Sequence, residues 1–265
     1  MFNPGGLSHC AEALFFNLKK MKTIRTINQM RNRCQFGNMA ANYQLYAHRL
    51  PRPFENKPKC QTDYNLFVQS NYGHGPVFLT HRQVLSGACV LAPYLFSRGS
   101  LPTVAYSLDA YGLLVSDLSL GGLEIGELTT VGQLSQALID NNVDWREGDE
   151  LWFLSAVQII DPYLDEPRAR MNSCRLVLDT TDTELLRNIV LPSGFATVDG
   201  KLGMSNPLEN AGAAWVHSRK RADGTIRVST QYLFVASSIL AEYQSEEAFQ
   251  QAAESYGATV TQKYI

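Results

Sequence analysis

The sequence predicts an α+β protein with mainly antiparallel sheets, a few short helices and a basic helical or extended arm at the N-terminus. Three observations lead there. Short β-rich runs divided by Gly, Pro and Ser follow residue 75: "PVFLT", "GACVLAPYLFS", "LPTVAYSL" and "YGLLVSDLSL". Helical periods are few, and they fall between the strands without the regular βαβ alternation of a doubly wound sheet. Charge divides the chain: residues 1–60 hold 10 Lys/Arg against 2 Asp/Glu, whereas the remainder holds 13 against 23. The expected organisation is a basic N-terminal helix and extended arm over residues 1–60, followed by a globular α+β body over residues 61–265.

Over residues 8–30, Leu14, Leu18, Met21, Ile24 and Ile27 step by three or four, the mark of an amphipathic helix with Lys and Arg on its other face. Met21 opens "MKTIRTINQM", which reads as an ordinary translation start, so the first twenty residues are expected to be an upstream extension. Residues 31–59 turn to Asn, Arg, Gln, Tyr and Pro. Pro51, Pro53 and Pro58 exclude a long helix after His48, and the stretch is expected to be extended with one short helix around residues 39–46.

Beyond the β-rich runs, Thr130 can cap a helix whose Val131, Leu134, Leu138 and Ile139 share a face and which ends at Asn141 and Asn142. The turn "REGD" then delivers "ELWFLSAVQII", apolar for long enough to be a strand buried on both faces. "CRLVLD" is a further strand, and "TDTELLRNIV" a short helix capped by Thr181 or Asp182. The clearest helix is "SEEAFQQAAESYG". Ser245 caps it, Glu246 and Glu247 suit its positive end, Phe249, Ala252, Ala253 and Tyr256 form its stripe, and Gly257 stops it.

The segment "AWVHSRKRADGTIRVSTQYLFV" concentrates a His, hydroxyls and cations, and it decides whether a reactive site is legible. Ala-Asp-Gly-Thr is turn chemistry, so residues 214–220 and 225–235 are expected to pair as an antiparallel hairpin with its cations at an exposed tip. His217 and Ser218 are neighbours on a strand and face opposite ways, which rules them out as a base–nucleophile pair. His217 is therefore expected to be a partly buried structural residue.

Other chemistries find no pattern. "GGLEIG" lacks the G-x-G-x-x-G spacing, and P-loop, H-E-x-x-H and G-x-S-x-G motifs do not occur. Asp161, Asp165 and Glu166 share a loop but lack the calcium-loop spacing, with Arg168 and Arg170 placed to neutralise them. His9, His48, His74 and His81 are dispersed, although a fold could gather the last two. Cys10, Cys34, Cys60, Cys89 and Cys174 make no C-x-x-C pair and read as free thiols. The expectation is no catalytic residue, no metal and no cofactor.

The candidate contacts to an anionic partner are Lys19, Lys20, Lys22, Arg25, Arg31 and Arg33 in the N-terminal segment, with Arg219, Lys220 and Arg221 at the hairpin tip. A basic arm of this kind tracks nucleic acid or lies on the acidic body of its own or a neighbouring subunit. Neither a secretory signal nor a membrane-length apolar run is present in the sequence.

At "VFLTHRQVLSGACVLAPYLFSRGSLP", "GDELWFLSAVQ", "FATVDGKLG" and "GAAWVHSRK" with "VSTQYLF", the chain resembles an uncharacterised family of gut Bacteroidetes proteins, some of them phage-associated. The resemblance spans roughly residues 20–257 in pattern and implies a host class and a mobile-element setting, with no activity or catalytic residue. The expected function is a non-catalytic structural or assembly protein, cytoplasmic or in a virion, with protein subunits as partners in a homo-oligomer or larger assembly. The alternatives are a nucleic-acid-binding accessory and an enzyme of unrecognised type; neither a membrane nor a small-molecule substrate is expected as partner.

Overall fold

The computed structural model describes residues 26–190 and 195–257. The chain begins with α1 (Ile27–Tyr46), α2 (Asp63–Asn71) and α3 (His81–Ser86), then β1 (Leu95–Ser97), β2 (Tyr106–Leu108) and β3 (Leu114–Ser119). After α4 (Val131–Asn141) come the long strands β4 (Glu150–Asp161) and β5 (Glu166–Val177), the single turn α5 (Leu186–Ile189), β6 (Ala196–Val198) and β7 (Lys201–Gly203). The last part holds β8 (Ala211–Lys220), β9 (Ile226–Val228), β10 (Gln231–Tyr232), β11 (Phe234–Ala236), α6 (Ser238–Glu242) and α7 (Glu246–Ser255). The fold is α+β, and every ladder between these strands is antiparallel.

The central sheet runs β11-β8-β4-β5, with β9 on the far end of β8. Alternation along β4 and β8 gives it two buried faces. Leu151, Phe153, Ala213 and Trp215 face α4 and the smaller β2-β3-β7-β6 sheet through Leu118, Leu134 and Leu202. Leu154, Ala156, Ala214 and Val216 face α1 and α2 through Met39, Tyr46 and Phe67. The two-sided burial expected for β4 holds as far as Ala156, with Val157 and Ile160 exposed where the strand outruns its covering layers.

The stretch after Arg31 is not extended: α1 runs for 20 residues. Thr26 and Gln29 start it with a reciprocal capping box, the threonine hydroxyl accepting from the Gln29 N–H at 3.3 Å and the Gln29 amide accepting from the Thr26 N–H at 3.2 Å. Its buried face carries Met30, Cys34, Asn38, Met39, Asn42 and Tyr46, so amides occupy positions where a helix stripe normally shows hydrocarbon. The helix expected over residues 8–30 lies, up to residue 25, outside the described residues.

Those amides replace a missing ladder. Val77, Leu79 and Val90 to Ala92, expected as strands, are buried but lie in no sheet. Asn38 instead accepts from the Val90 N–H at 2.8 Å and donates to the Val90 carbonyl at 2.9 Å; Asn71 makes the same two bonds to Leu95 at 2.8 and 2.7 Å. Gln158, buried on β4, accepts from the Leu91 N–H at 2.7 Å and donates to the Cys89 carbonyl at 3.0 Å. Buried peptide groups need partners, and side chains supply them here. Asn38→Ala leaves the Val90 N–H unpaired, while the Val90 carbonyl keeps the Asn42 amide at 2.8 Å; at about 1–3 kcal/mol for a buried orphan group, urea unfolding should show a loss of about 1–3 kcal/mol.

α4 and α7 begin and end as their sequences indicate, on Thr130 and Ser245, and Gly257 takes φ +76 behind α7. Two expectations are corrected. Neither Thr181 nor Asp182 caps α5, whose N-cap is Leu185 without a side-chain bond; Asp179 and Asp182 accept from the N–H groups two residues on and make local turns. "CRLVLD" is only the end of β5, which pairs with β4 along its full length from Asp161↔Glu166 to Glu150↔Val177.

The hairpin exists but its return strand is divided. β9 pairs with β8 from Lys220↔Ile226 to Ser218↔Val228 around Gly224, at φ +77, and β11 rejoins β8 at Phe234↔Ala213. Between them Gln231 and Tyr232 leave β8 to pair with β1, and Tyr232 is exposed.

Candidate functional site

The register Leu151↔His217 places the hairpin histidine beside the turn that precedes β4. His217 is 0% exposed, which corrects the expectation of partial burial. Its Nε2 donates to Asp149 Oδ2 at 2.8 Å, and the Trp145 ring lies parallel over the imidazole at 3.9 Å. Arg219, two residues on and hence on the same strand face, grips the same carboxylate with Nε on Oδ1 and Nη2 on Oδ2, both at 2.6 Å. The Nη2 also donates to the Asp144 carbonyl. Burial works against a charged Asp149, but the hydrogen bonds from Arg219 and His217 outweigh it and hold the carboxyl below the ordinary aspartate range.

This arrangement has the parts of a catalytic pair without access. A general base must reach a substrate proton, yet His217 Nδ1 is buried, has no hydrogen-bond partner among the described residues, and Trp145 covers the ring. The chemistry left to the cluster is structural: it ties the turn before β4 to the end of β8. Arg219 therefore does not belong to an exposed cationic tip, its side chain being only 12% exposed, because the buried Asp149 needs a countercharge. Ser218, on the opposite face, donates to Glu150 at 3.1 Å.

The other cations divide similarly. Lys220 and Arg221 stand exposed at the tip. Arg31 pairs with Glu246 at 3.2 Å and lies 4.0 Å over the Phe249 ring, clamping α1 to α7, and Arg33 lies 5.8 Å from the Tyr256 ring. Lys19, Lys20, Lys22 and Arg25 lie outside the described residues. Asp161 caps its own turn through Tyr163 and Leu164 and faces Arg168 at 3.8 Å, while Glu166 takes Arg82 and the Ser86 hydroxyl. Among the described residues no group of three or more His, Cys, Asp and Glu has the arrangement to hold a metal ion. Burial pushes the Cys34 thiol up to about 11 and the Cys89 thiol up to about 12, away from nucleophilic use. Among the described residues no helix is long and apolar enough to cross a membrane.

Among the described residues, an open groove of about 650 Å³ lies between α1 and α3. Gly37, Ala40 and Ala41 form its floor on α1 and Val84 its wall on α3. Gly37 is required there, since a Cβ would come within 2.3 Å of Val84 Cγ2. Phe36 lines the groove 43% exposed, and Leu85, next to Val84, stands 75% exposed.

Trp145 and Asp149 escaped the sequence reading because "DWREGD" reads as a solvated turn and lies 68 residues from His217. The small-residue floor Gly37, Ala40, Ala41 was legible only if α1 had been recognised as a helix. Compared with known proteins, the chain matches no family model, no curated protein and no solved structure.

Proposed function

We propose that the protein is a non-catalytic structural or assembly protein that associates with copies of itself through the α1/α3 groove. The observation that carries this reading is the groove itself: a floor of small residues lined by exposed Phe36 can receive the same side chain from a second copy across a two-fold axis, and Leu85, exposed next to Val84 on α3, adds apolar surface to that face. The engagement of His217, Asp149 and Arg219 in a sealed cluster supports a structural role over a catalytic one. The excess of cations in residues 1–60 over an acidic remainder supports a contact between the basic segment of one copy and the body of another.

Light scattering over a wide concentration range tests the proposal. Wild-type protein should show at least a dimer mass at high concentration, and Leu85→Asp should return it to monomer without lowering the melting temperature at dilutions where both are monomeric, because Leu85 is 75% exposed. A wild type that stays monomeric, or a Leu85→Asp variant that associates as the wild type does, overturns it.

A further inference from the structure

Beneath the chain that leaves α1 lies a second concavity, of about 360 Å³, separate in its lining from the groove. This volume is within the roughly 300–1,000 Å³ range of small-molecule sites. Its walls are aromatic and aliphatic: Tyr43 and Tyr46 from α1, Phe67 from α2, Phe96 from β1, Leu154 from β4 and Phe54 from the connecting loop. Tyr46 and Phe96 stack on one another, with centroids 5.3 Å apart and planes at 18°, so this wall is a rigid ring pair.

Two fully charged side chains line this cavity, and they are not equivalent. Asp63 already has a cation, Lys57 Nζ at 3.1 Å. Arg49 has none of the opposite sign: among the described residues its side chain makes one hydrogen bond, from Nη2 to the Met171 carbonyl at 2.8 Å, and no ion pair. The backbone brings it there. His48 takes φ +67 at the end of α1, and the Arg49 N–H donates to the Tyr46 carbonyl at 3.0 Å, so the chain reverses and lays Arg49 along the cavity. A half-buried guanidinium with unused donors and no carboxylate partner, set beside apolar rings, is suited to a planar anion.

We propose that this cavity binds a small carboxylate with a flat apolar body, its carboxylate paired with Arg49 and its rings lying against the Tyr46 and Phe96 wall. Asp63, neutralised by Lys57, adds no net charge opposing such a ligand. The site is independent of self-association through the α1/α3 groove.

Calorimetric titration of the full chain with 2-naphthoate, 2-naphthamide and 2-naphthylmethylammonium tests the proposal. Naphthoate should bind at least about tenfold more tightly than the amide, the ratio expected of one charge-assisted contact, and the ammonium most weakly. Arg49→Gln should remove the preference for the anion, and Arg49→Lys should keep part of it. Ala47→Phe, placed on the partly exposed rim, should block all three compounds. Near-UV circular dichroism identifies any variant that fails to fold, and Ala47→Phe then decides the location of the site. The proposal is overturned by three results: no naphthoate binding to wild type at millimolar concentration, equal affinity for the three compounds, or undiminished naphthoate binding to folded Ala47→Phe.

Discussion

Replacing Asp149 with Asn is expected to destabilise the fold by about 3–5 kcal/mol, the cost of removing one partner from a buried ion pair and leaving the other uncompensated. The carboxylate is 1% exposed and serves His217 and Arg219 together; an amide keeps its shape but cannot neutralise the guanidinium. Urea unfolding at neutral pH reads the loss. The pH dependence gives a second signature. The folded-state pKa of Asp149 is lowered, so its contribution is complete above the unfolded aspartate value of about 3.9 and is lost as pH falls through the lower folded value. Wild-type stability should decline across that acidic window, and the decline should be shallower in Asp149→Asn. Equal slopes below pH 4 would show that the carboxylate is not held in its charged form.

Trp215→Ala is expected to cost about 3–5 kcal/mol, lowering the melting temperature by roughly 10 °C for a chain of this size. Trp215 is 0% exposed and lies 5.3 Å from the Phe153 ring and 6.2 Å from the Tyr106 ring, at the meeting of the central sheet and the smaller sheet. Its indole N–H is buried and has no hydrogen-bond partner among the described residues, so the side chain contributes through volume alone. Trp215→Phe should consequently recover most of the loss. A phenylalanine variant as unstable as the alanine variant would place the indole N–H in a hydrogen bond and contradict this packing.

Legibility in the sequence follows which side chains do the packing. α4 and α7 declare themselves because Thr130 and Ser245 cap them and Leu134, Leu138, Phe249 and Ala253 fall on one face. The turn at Gly224 is legible because Asp223 and Gly224 have turn chemistry wherever they stand. α1 is hidden because Asn38 and Asn42 hold core positions, and an apolar-period search discounts the residues that join the helix to Val90. Its capping box, Thr26 with Gln29, is the local signal that would have found it. The cluster around His217 was half legible: Trp215, His217 and Arg219 share a face by strand alternation, but Asp149 joins them only through the register of β4 on β8, a long-range property. The same distance explains Arg219, whose charge reads as surface until its buried partner is known.

Hydrogen–deuterium exchange of the full chain at low and high protein concentration tests self-association through α1 and α3 most directly. Protection over residues 36–44 and 84–88 should rise with concentration, while protection over α4, buried on the other side of the central sheet, stays constant. Identical protection of residues 36–44 and 84–88 at both concentrations, in a sample whose mass doubles, would place the interface elsewhere and contradict the proposed mode of assembly.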